Sequence, residues 1–235
     1  APDELGISEV WVTSATVQWS PSSNPAGTLY TVLASTAANP SAAMGAVVSA
    51  SSTYAVSLTS AGLSADTTYY FQVQAVNHDG VATGYGPVVS TSTLAFPPVA
   101  SSATIAVSSI VFSWSANGNP PSTAYVGWIS SDNVTFNETG RAAATSVAIS
   151  ALLSNTTYYF RAQAVNNGNV ATDLAVFAPA ATLAAAPASA QPTAVTTGSV
   201  TANWLANGNG PGTLFEAQIS TDNFASLDAS SRTLN

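Results

Sequence analysis

One eleven-residue phrase that the chain contains twice constrains its fold more than any other feature. Residues 67–77 read TTYYFQVQAVN and residues 156–166 read TTYYFRAQAVN, so nine of the eleven positions are identical. Within the phrase the side chains alternate: Tyr69 and Phe71 point to one face and Tyr70 points to the other, as in a half-buried strand. Two copies 89 residues apart indicate two copies of one β-domain, in which the phrase is scaffold.

Three tryptophans extend the repeat to the rest of the chain. Each one ends an alternating run (ATVQW, IVFSW and VTANW), and an aromatic residue follows eleven positions later. The intervening loops, such as SANGNPPS, contain Asn, Gly and Pro, which favour turns. The many short strands predict an all-β sandwich or barrel. The residues predicted to form its core are Trp19, Tyr30, Tyr69, Trp114, Tyr125, Tyr158, Trp204 and Phe215.

Two short proline-bearing segments mark the boundaries between modules. TLAFPP at 93–98 and TLAAAP at 182–187 occupy matching places in the repeat. They predict a first module at 1–95, a second at 96–184 and a third at 185–235, joined by semi-rigid linkers. The third module has material for strands A to C and a little beyond, so we expect an incomplete sandwich there.

With these motifs the chain resembles tandem fibronectin type III domains, which have an immunoglobulin-like β-sandwich fold. In that family a strand-B Trp packs under a strand-C Tyr, and a Leu-x-x-x-Thr-x-Tyr element leads into strand F. The element is present here as Leu63, Thr67 and Tyr69, and again as Leu152, Thr156 and Tyr158. The resemblance implies that Tyr69 and Tyr158 are corner tyrosines whose hydroxyls bond to nearby backbone. It implies a fold and no particular activity, because such sandwiches have many functions.

The composition limits the classes of partner. The chain has three Arg and Lys residues together and eleven acidic ones, for a net charge of −8. This balance argues against nucleic acid and against electrostatic binding to anionic lipid, which both need clustered basic residues. Cysteine is absent, which excludes disulfides and thiolate metal sites, and no window reads as a membrane span. A charge-poor chain without lysine favours an extracellular or cell-surface location.

No set of residues predicts catalysis, a cofactor or a metal. The single histidine, His78, lies in the turn sequence NHDG, which module 2 replaces by NNGN. The acidic residues are scattered over turns and termini, so no carboxylate pair suited to glycoside hydrolysis is apparent. SDN at 131–133 and TDN at 221–223 predict Asx turns, because calcium needs several more oxygen ligands than this spacing provides.

Four side chains predict an exposed patch. Trp11 and Trp128 lie out of the inward register of their predicted strands, and Tyr159 and Arg161 share the outer side of the second phrase. Such residues are typical anchors of interfaces, so subunit contact, sugar stacking, and cover by a loop or an adjacent module all remain open. Three Asn-x-Ser/Thr sites are candidates for glycosylation: Asn133, Asn137 and Asn155.

These observations predict a non-catalytic, extracellular structural or adhesive repeat protein, a component of a surface appendage, fibre or large adhesin. Its expected partners are other copies of itself or neighbouring repeats. Two explanations of the incomplete third module remain open: the sequence is a segment of a longer repeat protein, or a neighbouring subunit adds the strands. Glycans are a further expected partner. Two alternatives are a spacer or accessory module of a secreted polysaccharide-degrading enzyme, and a glycan-binding module.

Overall fold

The computed structural model describes residues 1–234, and its regular structure is β-strand apart from one short 3-10 turn at Met44–Ala46. The strands of module 1 are β1 Asp3–Val10, β2 Ser14–Ser20, β3 Leu29–Ser35, β4 Val47–Thr53, β5 Ser57–Ala61, β6 Thr68–Val76 and β7 Val89–Ser92. They form two antiparallel sheets, β1-β2-β5 and β4-β3-β6-β7. The repeated phrase is β6, which pairs with both β3 and β7.

The core of module 1 lies between its two sheets and follows from the alternation in the sequence. Val17 and Trp19 come from β2, and Phe71 and Val73 from β6, and all four are buried. The ring centroids of Trp19 and Tyr30 are 5.4 Å apart in an edge-to-face arrangement, which aromatic pairs favour. This packing places sheet β1-β2-β5, the A, B and E strands of the family, over sheet β4-β3-β6-β7, its C′, C, F and G strands.

Module 2 repeats this arrangement. Its strands are β8 Val99–Ile105, β9 Ile110–Ser115, β10 Ala124–Ser130, β11 Asn137–Ala142, β12 Ser146–Ile149, β13 Thr157–Val165, β14 Ala175–Val176 and β15 Ala180–Ala181. The sheets are β12-β9-β8 and β11-β10-β13-β14, with β15 also paired to β13. Its core is more aromatic, since Phe112 stacks on Phe160 at 4.4 Å and Phe177 meets both rings edge-on. The prediction of an all-β fold made of tandem sandwiches is therefore confirmed.

Module 3 has fewer paired strands in the part of the chain that the structure describes. These are β16 Ala188–Ser189, β17 Trp204–Leu205, β18 Leu214–Ile219 and β19 Ala229–Leu234, in two two-stranded sheets, β16-β17 and β18-β19. Phe215 is buried, but Trp204 is only half-buried, and Val200 and Ala202, expected to point inward with it, are exposed. Trp204, predicted to lie in the core, is thus less covered than Trp19 and Trp114, because among residues 1–234 no strand equivalent to β6 or β13 covers this face.

The outer face of the C–F–G sheet differs between modules 1 and 2. Leu33 is the counterpart of Trp128, yet it is fully buried, although the strand alternation places it on the outer face. The connection at 36–46 lies beside this face, where the Ser41 amide donates to Gln72 Oε1 at 3.0 Å and Gln72 Nε2 donates to the Gly86 carbonyl at 3.1 Å. A longer connection therefore covers in module 1 a face that module 2 leaves more open.

Both corner tyrosines bond to the backbone at the start of strand F. Tyr69 Oη accepts a hydrogen bond from the Ser64 amide at 3.0 Å, and Tyr158 Oη accepts one from the Leu153 amide at 3.0 Å. Both rings are buried, so each hydroxyl satisfies a backbone donor beside the core. The corner thereby fixes the turn that leads from strand E into strand F.

We expect Tyr69→Phe to lower the free energy of unfolding of module 1 by about 1 kcal/mol, because the Ser64 amide loses its partner. The matched control is Tyr70→Phe, since Tyr70 points outward from the same strand and its hydroxyl has no hydrogen bond within residues 1–234. Urea unfolding of the full chain, followed through the NMR signals of module 1, measures both variants. Equal losses in the two variants would contradict the role of the corner.

Candidate functional site: the module junctions and an aromatic face

The four residues predicted to form an exposed patch do not all come together. Trp128 and Arg161 lie directly opposite each other on β10 and β13, and Tyr159 lies opposite Ser130 on the same pair of strands. These three predicted residues are half-buried. Trp11 lies on module 1, in the turn between β1 and β2 and not on a strand face, and it is 59% exposed. The structure thus assembles three of the four on module 2.

The residue that completes this aromatic face is Phe136, which the sequence patterns did not single out. The guanidinium carbon of Arg161 lies 3.8 Å from the centroid of the Phe136 ring and 6.0 Å from that of Trp128. These distances are in the range of cation–π attraction. Because Arg161 covers the Phe136 ring, a ligand that stacks there would have to displace the arginine. An aromatic residue within the polar segment SDNVTFN was the available signal.

A second site lies where module 1 meets module 2, and side-chain amides build it. Asn119 is buried, and its Oδ1 accepts from the Phe96 amide at 2.7 Å while its Nδ2 donates to the Phe96 carbonyl at 2.8 Å. The neighbouring Asn117 donates from Nδ2 to the Pro97 carbonyl at 3.0 Å. Asn117 has a φ of 55°, a left-handed conformation that asparagine tolerates better than most residues. The NGN sequence therefore folds into a turn that holds the linker.

Module 2 also contacts module 1 directly through the turn after β13. Asn166 Nδ2 donates to the Thr93 carbonyl at 2.9 Å. Asn167 bonds twice to Asp66, through its amide to the carboxylate at 2.6 Å and through Nδ2 to the carbonyl at 2.9 Å. Asn166 is only 1% exposed although it lies at the end of a strand, because module 1 covers it. This contact fixes the second module against the first.

The linker has almost no free length between the two modules. On the side of module 1, the Thr93 amide bonds to the Thr67 carbonyl and the Leu94 amide to the Trp11 carbonyl, each at 3.1 Å. Ala95 is buried and belongs to the core of module 2. Residues 93–96 therefore pass from one module to the next without an unattached residue, which restricts hinge motion.

The junction between modules 2 and 3 uses the same chemistry. Asn209 Oδ1 accepts from the Ala185 amide and its Nδ2 donates to the Ala185 carbonyl, both at 2.8 Å. Asn155 Nδ2 donates to Thr213 Oγ1 at 2.7 Å, and the Gly210 amide donates to the Ser154 carbonyl at 3.3 Å. The pair of hydrogen bonds from an asparagine side chain to one linker residue thus recurs 90 residues later, since Asn119 and Asn209 align when Trp114 is placed on Trp204.

We call the surface of a module that holds the preceding linker its receiving surface. In module 2 it consists of Asn117, Asn119, Asn166 and Asn167. Thr123 has the position that Thr213 has at the second junction. The opposite pole of a module is called its exit end. It consists of the residue before strand F and the Thr-Leu-Ala sequence that begins the linker. In module 1 the exit end is Asp66 with residues 93–95, and in module 2 it is Asn155 with residues 182–184.

The candidate glycosylation sites differ in their surroundings. Asn133 and Asn137 are exposed on module 2. The side-chain nitrogen of Asn155 is the atom to which a glycan would be attached, and it is the donor to Thr213 at the second junction. Glycosylation of Asn155 would therefore compete with the contact between modules 2 and 3.

The repeated Asp132 and Asp222 cap tight turns. The Val134 amide, the Ser130 hydroxyl and the Thr135 amide donate to Asp132 and lower its pKa to about 2. Hydrogen bonds from Ser220 and Ser226 likewise lower the pKa of Asp222 to about 2. These donors satisfy the carboxylates locally, as in Asx turns.

The other side chains that could take part in catalysis or metal binding lie apart from one another. His78 lies exposed in the turn after β6, and residues 1–234 hold no cluster of three or more His, Cys, Asp and Glu side chains placed to bind a metal. Within the same residues, no helix has the length and hydrophobicity required to cross a membrane.

Comparison with known proteins identifies the fold. The family model described as "Fibronectin type III domain" matches residues 1–92. The solved two-domain fibronectin type III segment of chicken tenascin is similar, with a TM-score of 0.50 and 16% sequence identity. The alignment covers 77% of this chain and 99% of that segment. No curated protein matches the sequence.

For the aromatic face we expect Arg161→Gln to lower the stability of module 2 by about 0.5–1 kcal/mol, because the cation–π contact is lost. Gln is the residue that module 1 has at the matching position 72. The control is Arg141→Gln, since Arg141 makes a surface hydrogen bond to Asn169 at 3.2 Å. Urea unfolding with detection on module 2 distinguishes them, and equal midpoints in both variants would disprove the contribution of the cluster.

Proposed function

Because residues 1–92 are a fibronectin type III domain and the chain has the fold of such domains in tandem, we propose that it is a non-catalytic, semi-rigid structural array. The observation that carries this proposal is the pair of hydrogen bonds by which the side-chain amides of Asn119 and Asn209 each hold one linker residue. An array whose linkers are bonded to both neighbours keeps a fixed spacing and orientation. That property suits a stalk, fibre or large adhesin.

An extracellular or cell-surface location is part of the proposal. Its support is the composition, in which only 6% of residues are charged, lysine and cysteine are absent, and the net charge is −8. Exposed Trp11 and the aromatic face of module 2 are the proposed adhesive contacts with neighbouring copies or with glycans. Of the two, Trp11 is the better candidate for such a contact, because its ring is exposed whereas Arg161 covers Phe136 on the aromatic face of module 2.

The use as a spacer in a secreted polysaccharide-degrading enzyme needs the same mechanical property. A rigid array would hold a catalytic domain at a set distance from its substrate or anchor. The junction geometry supports both uses equally, and we favour the surface array because the exposed aromatics give it a means of contact.

We expect the double variant Asn119→Ala, Asn209→Ala to loosen the array, because each substitution removes both bonds to the linker. Small-angle scattering should show a broader distribution of interatomic distances than in the unmodified chain. Asn24→Ala is the matched control, since Asn24 aligns with the other two and bonds to the Pro21 carbonyl of its own turn. A distribution already typical of freely jointed modules in the unmodified chain would refute the array.

Strand addition to module 3 is the proposed mode of assembly. β10 pairs on both sides, with β11 and β13, whereas its counterpart β18 pairs only with β19 among the described residues. A cleft of about 330 Å³ lies over β18 and β19, lined by apolar side chains such as Val200, Trp204 and Ile219 and by the polar Gln218, Ser230, Ser231 and Thr233. An unpaired strand edge beside apolar side chains is a template for a further strand.

We expect a synthetic peptide of residues 156–166 to bind module 3 and to shift the fluorescence of Trp204 to shorter wavelength, because the peptide would cover the cleft. The comparison peptide carries Phe160→Asp, which puts a charge on the face that would be buried. Variant Trp204→Phe assigns the fluorescence change to this indole. Equal effects of both peptides would rule out strand addition.

A further inference from the structure

The receiving surface of module 1 has no occupant among residues 1–234. Asn24, Thr28 and Asn77 are identical to the aligned residues of module 2, whereas Ser22 and His78 replace Asn117 and Asn167. The surface forms a cleft of about 310 Å³ lined by Asn24, Thr28, Val76, Asn77, His78 and Val81. The residues aligned with these in module 2 are Asn119, Thr123, Val165, Asn166, Asn167 and Val170. In module 2, Asn119, Asn166 and Asn167 bond to the linker and exit end of module 1, and Val170 lines a cleft with Leu94 and Ala95. The repeat itself therefore indicates what kind of structure covers this surface.

Aligned residues on the two receiving surfaces differ in exposure, and those of module 1 are the more exposed. Asn166 and Thr123 are 1% and 0% exposed, and Asn166 contacts Thr93 of module 1. Their counterparts differ, since Asn77 is exposed and Thr28 is half-buried. Both asparagines end the same strand of the same phrase and accept the same turn hydrogen bond. What differs at Asn166 is the contact with a preceding module.

The hydrogen-bonding groups of this surface are also oriented for a partner. Asn77 Oδ1 accepts from the Val81 amide at 2.8 Å, as Asn166 Oδ1 accepts from the Val170 amide at 2.7 Å. This shared bond leaves Nδ2 free to point outward. In module 2 that Nδ2 donates to the Thr93 carbonyl, whereas Nδ2 of Asn77 has no partner within residues 1–234.

Asn24 has the corresponding free acceptor. Its Nδ2 donates to the Pro21 carbonyl at 2.6 Å, as Asn209 Nδ2 donates to the Ala206 carbonyl at 2.7 Å. Oδ1 of Asn209 additionally accepts the linker amide of Ala185, and Asn119 does the same with Phe96. Across the described residues, Oδ1 of Asn24 has no donor. A free donor on Asn77 and a free acceptor on Asn24 match two of the bonds at the first junction, those of the Thr93 carbonyl with Asn166 and of the Phe96 amide with Asn119.

We propose that this cleft is a docking site for the exit end of another fibronectin type III module that carries the Thr-Leu-Ala linker. The incoming module would offer a linker carbonyl to Asn77 and an Asp or Asn before its strand F to the turn at His78. It would also place the Ala1 amide, which aligns with that of Phe96, against Asn24. This inference rests on the proposed array and extends it by one position. The exit ends of modules 1 and 2 are themselves already engaged at the two junctions, so the occupant of this cleft is the exit end of a further module.

The test adds a module in front of the full chain. A second copy of residues 1–95 fused before Ala1 gives the junction Thr-Leu-Ala-Ala-Pro, in which Ala1 aligns with Phe96 and Ala185. The readout is hydrogen exchange of asparagine side-chain amides, followed by NMR with selective asparagine labelling. We expect the Nδ2 hydrogens of Asn77 in the receiving copy to exchange at least about tenfold more slowly than in the unmodified chain.

Two controls separate docking from mere tethering. Asn24→Ala in the receiving copy should restore fast exchange at Asn77, since the linker loses its clamp while the tether stays. A fusion with Gly-Gly-Gly in place of Thr93–Ala95 of the added copy keeps the tether and removes the Thr-Leu-Ala linker that the cleft is proposed to recognise. Fast exchange at Asn77 in both controls, together with slow exchange in the fusion, is the supporting result.

Asn166 is the internal reference that distinguishes the two proposals. Slow exchange at Asn166 with unchanged fast exchange at Asn77 in the fusion would overturn this docking site and leave the array intact. Fast exchange at both residues would overturn the array as well. Slow exchange at Asn77 in the unmodified chain that sets in with rising concentration would show that a second copy occupies the cleft, and would also overturn the proposal.

Discussion

The arrangement of this protein depends on one interaction, the pair of hydrogen bonds between an asparagine side chain and the backbone of a single linker residue. Asn119 and Asn209 each present a donor and an acceptor to the peptide groups of Phe96 and Ala185. Both asparagines are buried, where an unpaired amide would be costly, so the linker must stay in place to satisfy them. This constraint acts together with the direct contacts of Asn166 and Asn167 with module 1 and of Asn155 with Thr213.

The cores of modules 1 and 2 make this polar junction possible. Each sandwich buries its own aromatic residues, and Ala95 joins the second core at the start of the module. The turns between strands are thereby held in fixed positions, and their asparagines point toward the neighbouring module. With few charged residues, the chain uses amide and hydroxyl groups for contacts that other proteins make with ion pairs, and Arg232 with Glu216 is the ion pair found among residues 1–234.

Sequence patterns predicted the fold well and the sites less well. Alternation around Trp19, Trp114 and the repeated phrase predicted the strands and their inward faces, because burial on one face imposes a period of two. The patterns did not predict the cover of Leu33 by the loop at 36–46, nor the position of Phe136 under Arg161. Both depend on how a connection of irregular sequence folds back over a sheet, for which no local periodicity exists.

At the junctions, too, the sequence predicted the local structure but not the contacts between modules. By itself the sequence determined the repeat, the strand faces and the Asn-Gly turns, since each follows from side-chain chemistry within a few residues. The family resemblance implied the corner tyrosines. Only the tertiary structure decided that Asn166 and Asn167 bond to residues 73 and 101 positions away in the first module, and that the matching Asn77 stays exposed. The physical reason is that identical local sequences reach different environments, because burial at a module surface depends on which neighbour the chain brings against it.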